Sequence, residues 1–254
     1  MIIPTEEVAG IDALARLLEG QLAAFDRRRD PRAPFLRVYA CMTRRLQERL
    51  RQGFFADPAW VERVAVDFGS YYFRALDAFD AGEPCPPAWE LAHRAALSGR
   101  TFVLTDVLLG MNAHVNNDLP QVLAGLLAAG GDWPDSARLT YRRFDHDQIN
   151  RILHELVPIV EDEVAERYAR WLRRAGRRLG RLDDLLATYG LKFYRDEVWK
   201  KAGFLLACPA GEPRATALRW IETDALRIAR EIERGLCPRW TRPLVRSLRR
   251  LRLL

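Results

Sequence analysis

The sequence predicts an all-α protein: a single bundle of about eight helices around a central, apolar, kinked helix. Almost every segment carries apolar residues at helical spacing, and no two segments alternate as paired strands would. The chain has 254 residues, of which 49% are hydrophobic, enough for one domain with a sizeable core. The stretch from Phe102 to Ala129 is apolar nearly all round, which is typical of a buried central helix.

Four helices are predicted before the central one, each between a start and a stop signal. Asp57 followed by Pro58 is the clearest start, because Asp is a strong N-cap and proline is favoured in the first turn. Gly53 is a natural C-cap for the preceding helix. The predicted ranges run from Thr5 to a charged break at 27–34, and then over 35–52, 58–80 and 88–96.

The central helix is predicted over 101–117. We expect a break or kink at Leu119–Pro120, since proline lacks an N–H and its ring clashes with the preceding turn. The helical pattern resumes to Ala129, and a loop follows over 130–135. Further helices are predicted at about 144–174, 182–206 and 214–234. Residues 1–234 are thus one helical domain, followed by a basic amphipathic tail at 235–254.

The excess positive charge of the chain lies in this tail. The formal net charge is +6, and residues 235–254 contain six arginines and no acid. Basic and acidic residues are therefore equal in number in the body of the chain, residues 1–234. A balanced body does not support a basic nucleic-acid-binding face there, so we expect no nucleic-acid partner. The tail alternates leucine or valine with arginine at helical spacing. It would either pack on the body or make peripheral contact with an anionic membrane.

The sequence also predicts where the protein resides. No window of 18 uninterrupted apolar residues is present, and the N-terminus lacks the basic and apolar regions of a secretory signal. The four cysteines are scattered and form no CxxC pair, so we expect neither a disulfide framework nor a cysteine-rich zinc site. We expect a cytoplasmic protein.

The most informative stretch is polar and interrupts the central apolar helix. Residues 110–120 read GMNAHVNNDLP, and each unpaired buried polar group would cost about 1–3 kcal/mol. His114 and Asp118, four residues apart, share a helix face on which they could bind one metal ion or orient the imidazole. Gly110 removes a side chain one turn earlier, so another group can approach closely.

A structural interpretation of the same residues stays open. Asp118, followed by Pro120 and Gln121, is a good helix start with a capping box, so Asp118 could simply restart the helix after the break. His114 would then bind a backbone carbonyl.

Two further groups of polar residues are candidates for the site. His146, Asp147 and Asn150 lie at the start of a predicted helix, although Asp145 and Asp147 could simply be acids favoured by the helix dipole. Asp67 and Tyr71 share a face of the third helix and could line a cavity as acid or base, or belong to an aromatic core. His93 is expected to be exposed. The tryptophans expected in the core or at helix interfaces are Trp89, Trp171, Trp199 and Trp220.

Residues 109–120, LGMNAHVNNDLP, resemble the GMNAHxNxDLP signature of a bacterial and fungal family of unknown function. The resemblance includes YFRAL at 72–76 and INRIL at 149–153, and spans roughly residues 35–205. It implies no activity. It implies that one shared polar centre contains Asn112, His114, Asn116, Asp118 and Asn150.

The leading hypothesis is a small-molecule enzyme with a buried His/Asn/Asp centre and a largely apolar substrate. His114 would be the general base or a metal ligand, and Asp118 its orienting partner or a second ligand. Asn150 joins these two in the candidate catalytic set, and His146 would complete a site for one divalent metal ion. The candidate substrate-binding residues are Asn112, Asn116, Asn117, Tyr71 and Asp67.

Hydrolysis at a single metal ion is the first reaction class to test, and a metal-free acid–base cyclisation or isomerisation is the second. The alternative is a helical binding or scaffold protein. An enzyme should present His114 and Asp118 to a solvent-connected cavity of about 300 Å³ or more. A scaffold should bury both with every hydrogen bond satisfied.

Overall fold

The computed structural model describes residues 9–149, 151–152, 191–236, 243 and 245–247, and every element in this part of the chain is helical. The all-α prediction is therefore confirmed. The helices are α1 (Ile11–Arg28), α2 (Ala33–Arg51), α3 (Pro58–Ala81), α4 (Pro87–Ser98), α5 (Val103–Asn112), a π-helical segment (Ala113–Asp118), α6 (Leu119–Ala129), α7 (136–149), α8 (Leu191–Ala207) and α9 (Glu212–Leu236).

The helix formed by α5, the π-helical segment and α6 lies at the centre of the bundle. It contacts α2, α3, α4, α8 and α9. The π-helical segment itself touches α3, α4, α8 and α9. This enclosure explains why its sequence is apolar nearly all round, and it places the polar residues of the segment where water is excluded.

Local signals in the sequence fix several boundaries. The Asp57 side chain accepts a hydrogen bond from the Trp60 N–H at 2.9 Å, and Pro58 is the first residue of α3, as predicted. Gly53 follows α2 with a left-handed φ of +67°. Gly69 lets α1 approach α3, because a Cβ at this position would lie 2.3 Å from Leu14 Cδ1.

Of the break or kink predicted at Leu119–Pro120, the break is wrong. Asp118 and Leu119 both keep right-handed helical dihedrals, and the irregularity is the π turn that precedes them. In this turn the Leu119 N–H donates to the His114 carbonyl, five residues earlier. Pro120 then lies in the first turn of α6, where a missing N–H costs little, so the helix passes through the proline.

The helix predicted from about residue 144 starts earlier. α7 begins at 136, since the Asp135 carboxylate accepts hydrogen bonds from the Ala137 and Arg138 N–H groups at 2.9 and 3.1 Å. Most of the predicted range 144–174 and part of 182–206 lie outside the described residues. The last predicted helix, 214–234, corresponds to α9 within two residues at each end.

Among the described residues, no helix is long and apolar enough to cross a bilayer. Most of the tail at 235–254 lies outside this part of the chain. Val245, which belongs to the tail's apolar pattern, is fully buried.

Candidate functional site

A histidine–aspartate pair lies inside the π-helical segment. His114 Nδ1 is 2.9 Å from Asp118 Oδ2, and the two side chains are only 3% and 1% exposed. An ionised carboxylate can only accept, so the shared proton belongs to Nδ1. His114 Nε2 therefore carries a lone pair, and it has no hydrogen-bond partner among the described residues.

Two further donors hold the Asp118 carboxylate. Trp89 Nε1 of α4 donates to Oδ2 at 2.9 Å, and Asn117 Nδ2 donates to Oδ1 at 2.8 Å. Asp118 makes no capping bond, and Gln121 Nε2 donates to the Asn117 carbonyl at 2.8 Å. The interpretation of Asp118 as an N-cap with a capping box is therefore wrong. The carboxylate is fixed from three sides and orients the imidazole.

Burial lowers the pKa of His114 below its usual value, and the hydrogen bond and charge of Asp118 act in the opposite direction. The ring stacks on Phe68, with centroids 3.4 Å apart and planes 3° from parallel. Tyr39 meets it edge-on at 4.6 Å. An oriented imidazole that is neutral at pH 7 is in the form that a general base requires.

His114 lines an apolar cavity between α2, α3 and the central helix. The cavity volume is about 110 Å³, and its walls include Phe35, Met42, Phe68 and Met111. Asp118 is not among the residues that line it. This volume is smaller than the 300 Å³ that we expected for an enzyme site. It approaches that of an apolar cavity of roughly 150 Å³ that holds benzene.

Tyr39 of α2 also lines this cavity. Its hydroxyl is buried and has no hydrogen-bond partner in the described part of the chain. Burial, together with the nearby Asp118 charge, raises the pKa of Tyr39 well above its usual value, so the hydroxyl keeps its proton. Sequence analysis missed this residue, because a tyrosine on an apolar helix stripe carries no signal that separates a site from a core.

The asparagines predicted to bind substrate divide into two groups. Asn112 Nδ2 donates to the Ala225 carbonyl of α9 at 2.8 Å, and Asn116 Nδ2 donates to Asn112 Oδ1 at 2.9 Å. These two residues connect the central helix to α9 and do not line the apolar cavity. Asn117 instead supports Asp118, as described above.

Asp67 and Tyr71 lie on α3, both half-buried, and neither lines the cavity. The Arg74 guanidinium lies over the Tyr71 ring, 4.3 Å from its centroid. Burial raises the pKa of Asp67 and that of Tyr71, and Arg74 opposes both shifts.

His146 is buried on α7, with its ring centroid 5.3 Å from that of Trp199. Neighbouring Asp145 is not an acid at the start of its own helix. Its carboxylate accepts from the Ala56 and Asp57 N–H groups, both at 2.8 Å, and so caps the approach to α3. Asn150, predicted to be catalytic, lies outside the described residues.

In the described part of the chain, the predicted metal ligands His114 and Asp118 have no third ligand beside them. Within the described ranges, no group of three or more His, Cys, Asp or Glu side chains could hold one. Both Asp118 oxygens accept from N–H donors, and the amide and indole N–H groups beside them are not ligands.

The exposure predicted for His93 is wrong. His93 is buried, with its ring stacked on Trp89 at 5.2 Å, because α4 turns this face toward the core. Burial and, to a smaller degree, Arg32 lower the pKa of His93 to about 3. Trp220 of α9 is 51% exposed, yet it packs edge-on against Phe204 of α8 and so lies at a helix interface, one of the two places expected for it. Trp89 is buried as expected, but its donation to Asp118 was not foreseen.

Comparison with known proteins gives a family and no activity. No curated protein and no solved structure matches the chain. The model of a family described as "Family of unknown function (DUF5995)" matches residues 11–235, from the start of α1 almost to the end of α9. The chain therefore belongs to this family of unknown function, as its resemblance around residues 109–120 implied.

Proposed function

We propose that this protein is an enzyme in which His114 acts as a general base on a small, largely apolar substrate, without a metal ion. The observation that carries the proposal is the oriented His114–Asp118 pair. Its accepting atom, Nε2, is unpartnered among the described residues on a ring that lines an apolar cavity.

The chemistry follows from the two ends of the imidazole. Asp118 holds the Nδ1 proton, so Nε2 takes a proton from the substrate, and the carboxylate stabilises the imidazolium that forms. Trp89 and Asn117 keep the carboxylate in place. The apolar walls exclude water, which strengthens the electrostatic attraction between the carboxylate and the imidazolium. Return of the proton to another substrate atom gives an isomerisation or a cyclisation.

The ring opening of 1,2-benzisoxazole tests the base without knowledge of the natural substrate. This small apolar compound isomerises to 2-cyanophenol when a base removes one C–H proton. We expect the wild-type protein to open it faster than free imidazole does at equal concentration. The His114→Gln variant, which keeps hydrogen-bonding groups but no basic nitrogen, should lose about 100-fold or more of the rate.

His93→Gln is the matched control, because His93 is a buried, neutral histidine that does not line the apolar cavity. It should retain the wild-type rate. Equal rates in wild type and His114→Gln, in proteins that bind the probe, would contradict the general-base role.

A non-enzymatic helical scaffold is the second candidate. The small cavity and the Asn112–Ala225 bond between helices favour it, since both belong to a packed core. The unpartnered Nε2 speaks against it. Peripheral membrane contact by the tail and a cytoplasmic location stay predictions, and the burial of Val245 favours a tail packed on the protein.

A further inference from the structure

The cavity beside His114 has a polarity that restricts what it can hold. Among the described residues that line it, none is charged. A charged ligand would lose its hydration there without gaining a counter-ion, which disfavours its binding. The ligand is therefore neutral.

Two of the residues that line this cavity, His114 and Tyr39, each carry a buried polar atom without a partner among the described residues. His114 Nε2 can only accept, because Nδ1 donates to Asp118. The Tyr39 hydroxyl has a proton to donate. The two rings are 4.6 Å apart between centroids. A third polar group that lines the cavity, the Thr43 hydroxyl, already donates to the Tyr39 carbonyl at 3.0 Å.

Of the common neutral groups, a hydroxyl can satisfy both the acceptor on His114 and the donor on Tyr39 through a single oxygen atom. It accepts from Tyr39 and donates to His114 Nε2. A ketone or an ether would leave Nε2 unpaired, and a hydrocarbon would leave both atoms unpaired. We infer that the cavity binds a small, neutral, apolar molecule that carries one hydroxyl group, such as a phenol or a short alcohol. This inference rests on the proposed function in placing the substrate in the same cavity.

The hydroxyl also fits the proposed chemistry. Removal of its proton by His114 Nε2 leaves an oxygen that the Tyr39 hydroxyl can stabilise by donation. The proton resides on the imidazole, next to Asp118, until a carbon atom of an unsaturated substrate receives it: the O–H bond breaks, a C–H bond forms, and the C=C–O unit becomes C–C=O. No oxidant, reductant or second reactant is needed.

Phenol and toluene form a matched pair of probes, since they differ only in a hydroxyl replaced by a methyl group. Both are neutral at pH 7. The methionines of the chain are Met1, Met42 and Met111, and the latter two line the cavity. Binding can therefore be followed by NMR of the full-length protein labelled with 13C at the methionine methyl groups.

We expect phenol to bind wild-type protein at least as tightly as toluene. In a cavity without polar partners phenol would bind more weakly, because it would lose its hydrogen bonds to water. The Tyr39→Phe variant removes one hydroxyl and should lower the ratio of phenol to toluene affinity about 10-fold. Tyr141→Phe, on an exposed tyrosine of α7 that does not line the cavity, should leave that ratio unchanged.

The outcomes separate this inference from the proposed function. Tighter binding of toluene by wild-type protein would overturn the hydroxyl inference and leave the cavity as an apolar substrate site. This comparison stands even where Tyr39→Phe does not fold. A phenol preference together with a failed benzisoxazole test would support the inference and overturn only the general base. Unmoved Met42 and Met111 signals with both probes would overturn both.

Discussion

At the scale of single residues, Gly110 determines how closely α2 approaches the central helix. A Cβ at this position would lie 2.6 Å from the Phe35 ring. Phe35 packs edge-on against both His114 and Trp89, with centroids 6.2 and 5.5 Å apart. The group that approaches at Gly110 is therefore an aromatic side chain of the protein, which forms part of the cavity wall.

Gly110→Ala should destabilise the protein by about 1–3 kcal/mol, because the overpacked Phe35 ring must move. Gly125→Ala, on an exposed turn of α6 with nothing within 4 Å of the added Cβ, should stabilise it by up to about 1 kcal/mol. Urea unfolding of both variants measures the difference. Equal unfolding free energies of the two variants would show that the Phe35 ring moves aside without destabilising the protein.

At the scale of elements, two features define the central helix. The π turn holds the His114–Asp118 pair, and the Asn112–Asn116 pair fixes the helix against α9. The π turn admits Pro120 without a break and contains both His114 and Asp118. Irregular turns of this kind often occur at functional sites. The asparagine pair joins the central helix to α9 through the Ala225 carbonyl.

Asn112→Ala should cost about 2–4 kcal/mol, since it removes the bond to α9, opens a small void and leaves the Asn116 amide without its acceptor. Asn116→Ala should cost less, because the Asn112–Ala225 bond remains. The double variant should be less destabilised than the sum of the two, by about 1 kcal/mol or more. Denaturant unfolding of the four proteins gives this coupling, and strict additivity would contradict the network.

At the scale of the whole molecule, two buried histidines connect stability to pH. Burial lowers the pKa of His93 to about 3 and also lowers that of His114. Below a pH of about 6.5 the unfolded chain binds protons at these residues that the folded chain does not. Their contribution to stability is therefore complete above this pH and is lost as the pH falls toward the folded values.

The free energy of unfolding should fall by about 1.4 kcal/mol per pH unit for each neutral buried histidine, measured between pH values of about 6.5 and 5. Over this range most carboxylates stay ionised. The His93→Phe variant keeps an aromatic ring against Trp89. Its unfolding free energy should fall less steeply with falling pH, by about 1.4 kcal/mol per pH unit, because one titrating histidine is gone. An unchanged slope in this variant would mean that His93 is protonated in the folded state.

Local patterns were sufficient for the parts of the fold that depend on neighbouring residues. Helical periodicity gave the all-α class and the central position of the apolar helix, and the Asp57–Pro58 signal placed the start of α3. The pairing of His114 with Asp118 was foreseen as one of two options, because residues four apart share a helix face.

Other features depended on partners that are distant in the chain. Asp145 accepts hydrogen bonds from Ala56 and Asp57, which precede it by 89 and 88 positions in the chain. Trp89 donates to Asp118, which lies 29 positions after it. Neither partner is signalled locally, so the sequence offers for Asp145 the start of its own helix as one alternative, and for Trp89 the core or a helix interface. His93 was expected to be exposed because its short helix looked polar, whereas helix packing turns it inward.

The sequence by itself determined the helices, their central apolar member and the polar segment within it, since helical periodicity and capping act over a few residues. Only the tertiary structure decided what that segment can do. The approach of α2 and α3 encloses a cavity, and the approach of α4 fixes Asp118 through Trp89. Among the described residues that line the cavity, His114 Nε2 and the Tyr39 hydroxyl are left as unpartnered buried polar atoms. The physical reason is that desolvation and long-range hydrogen bonds depend on which helix faces meet.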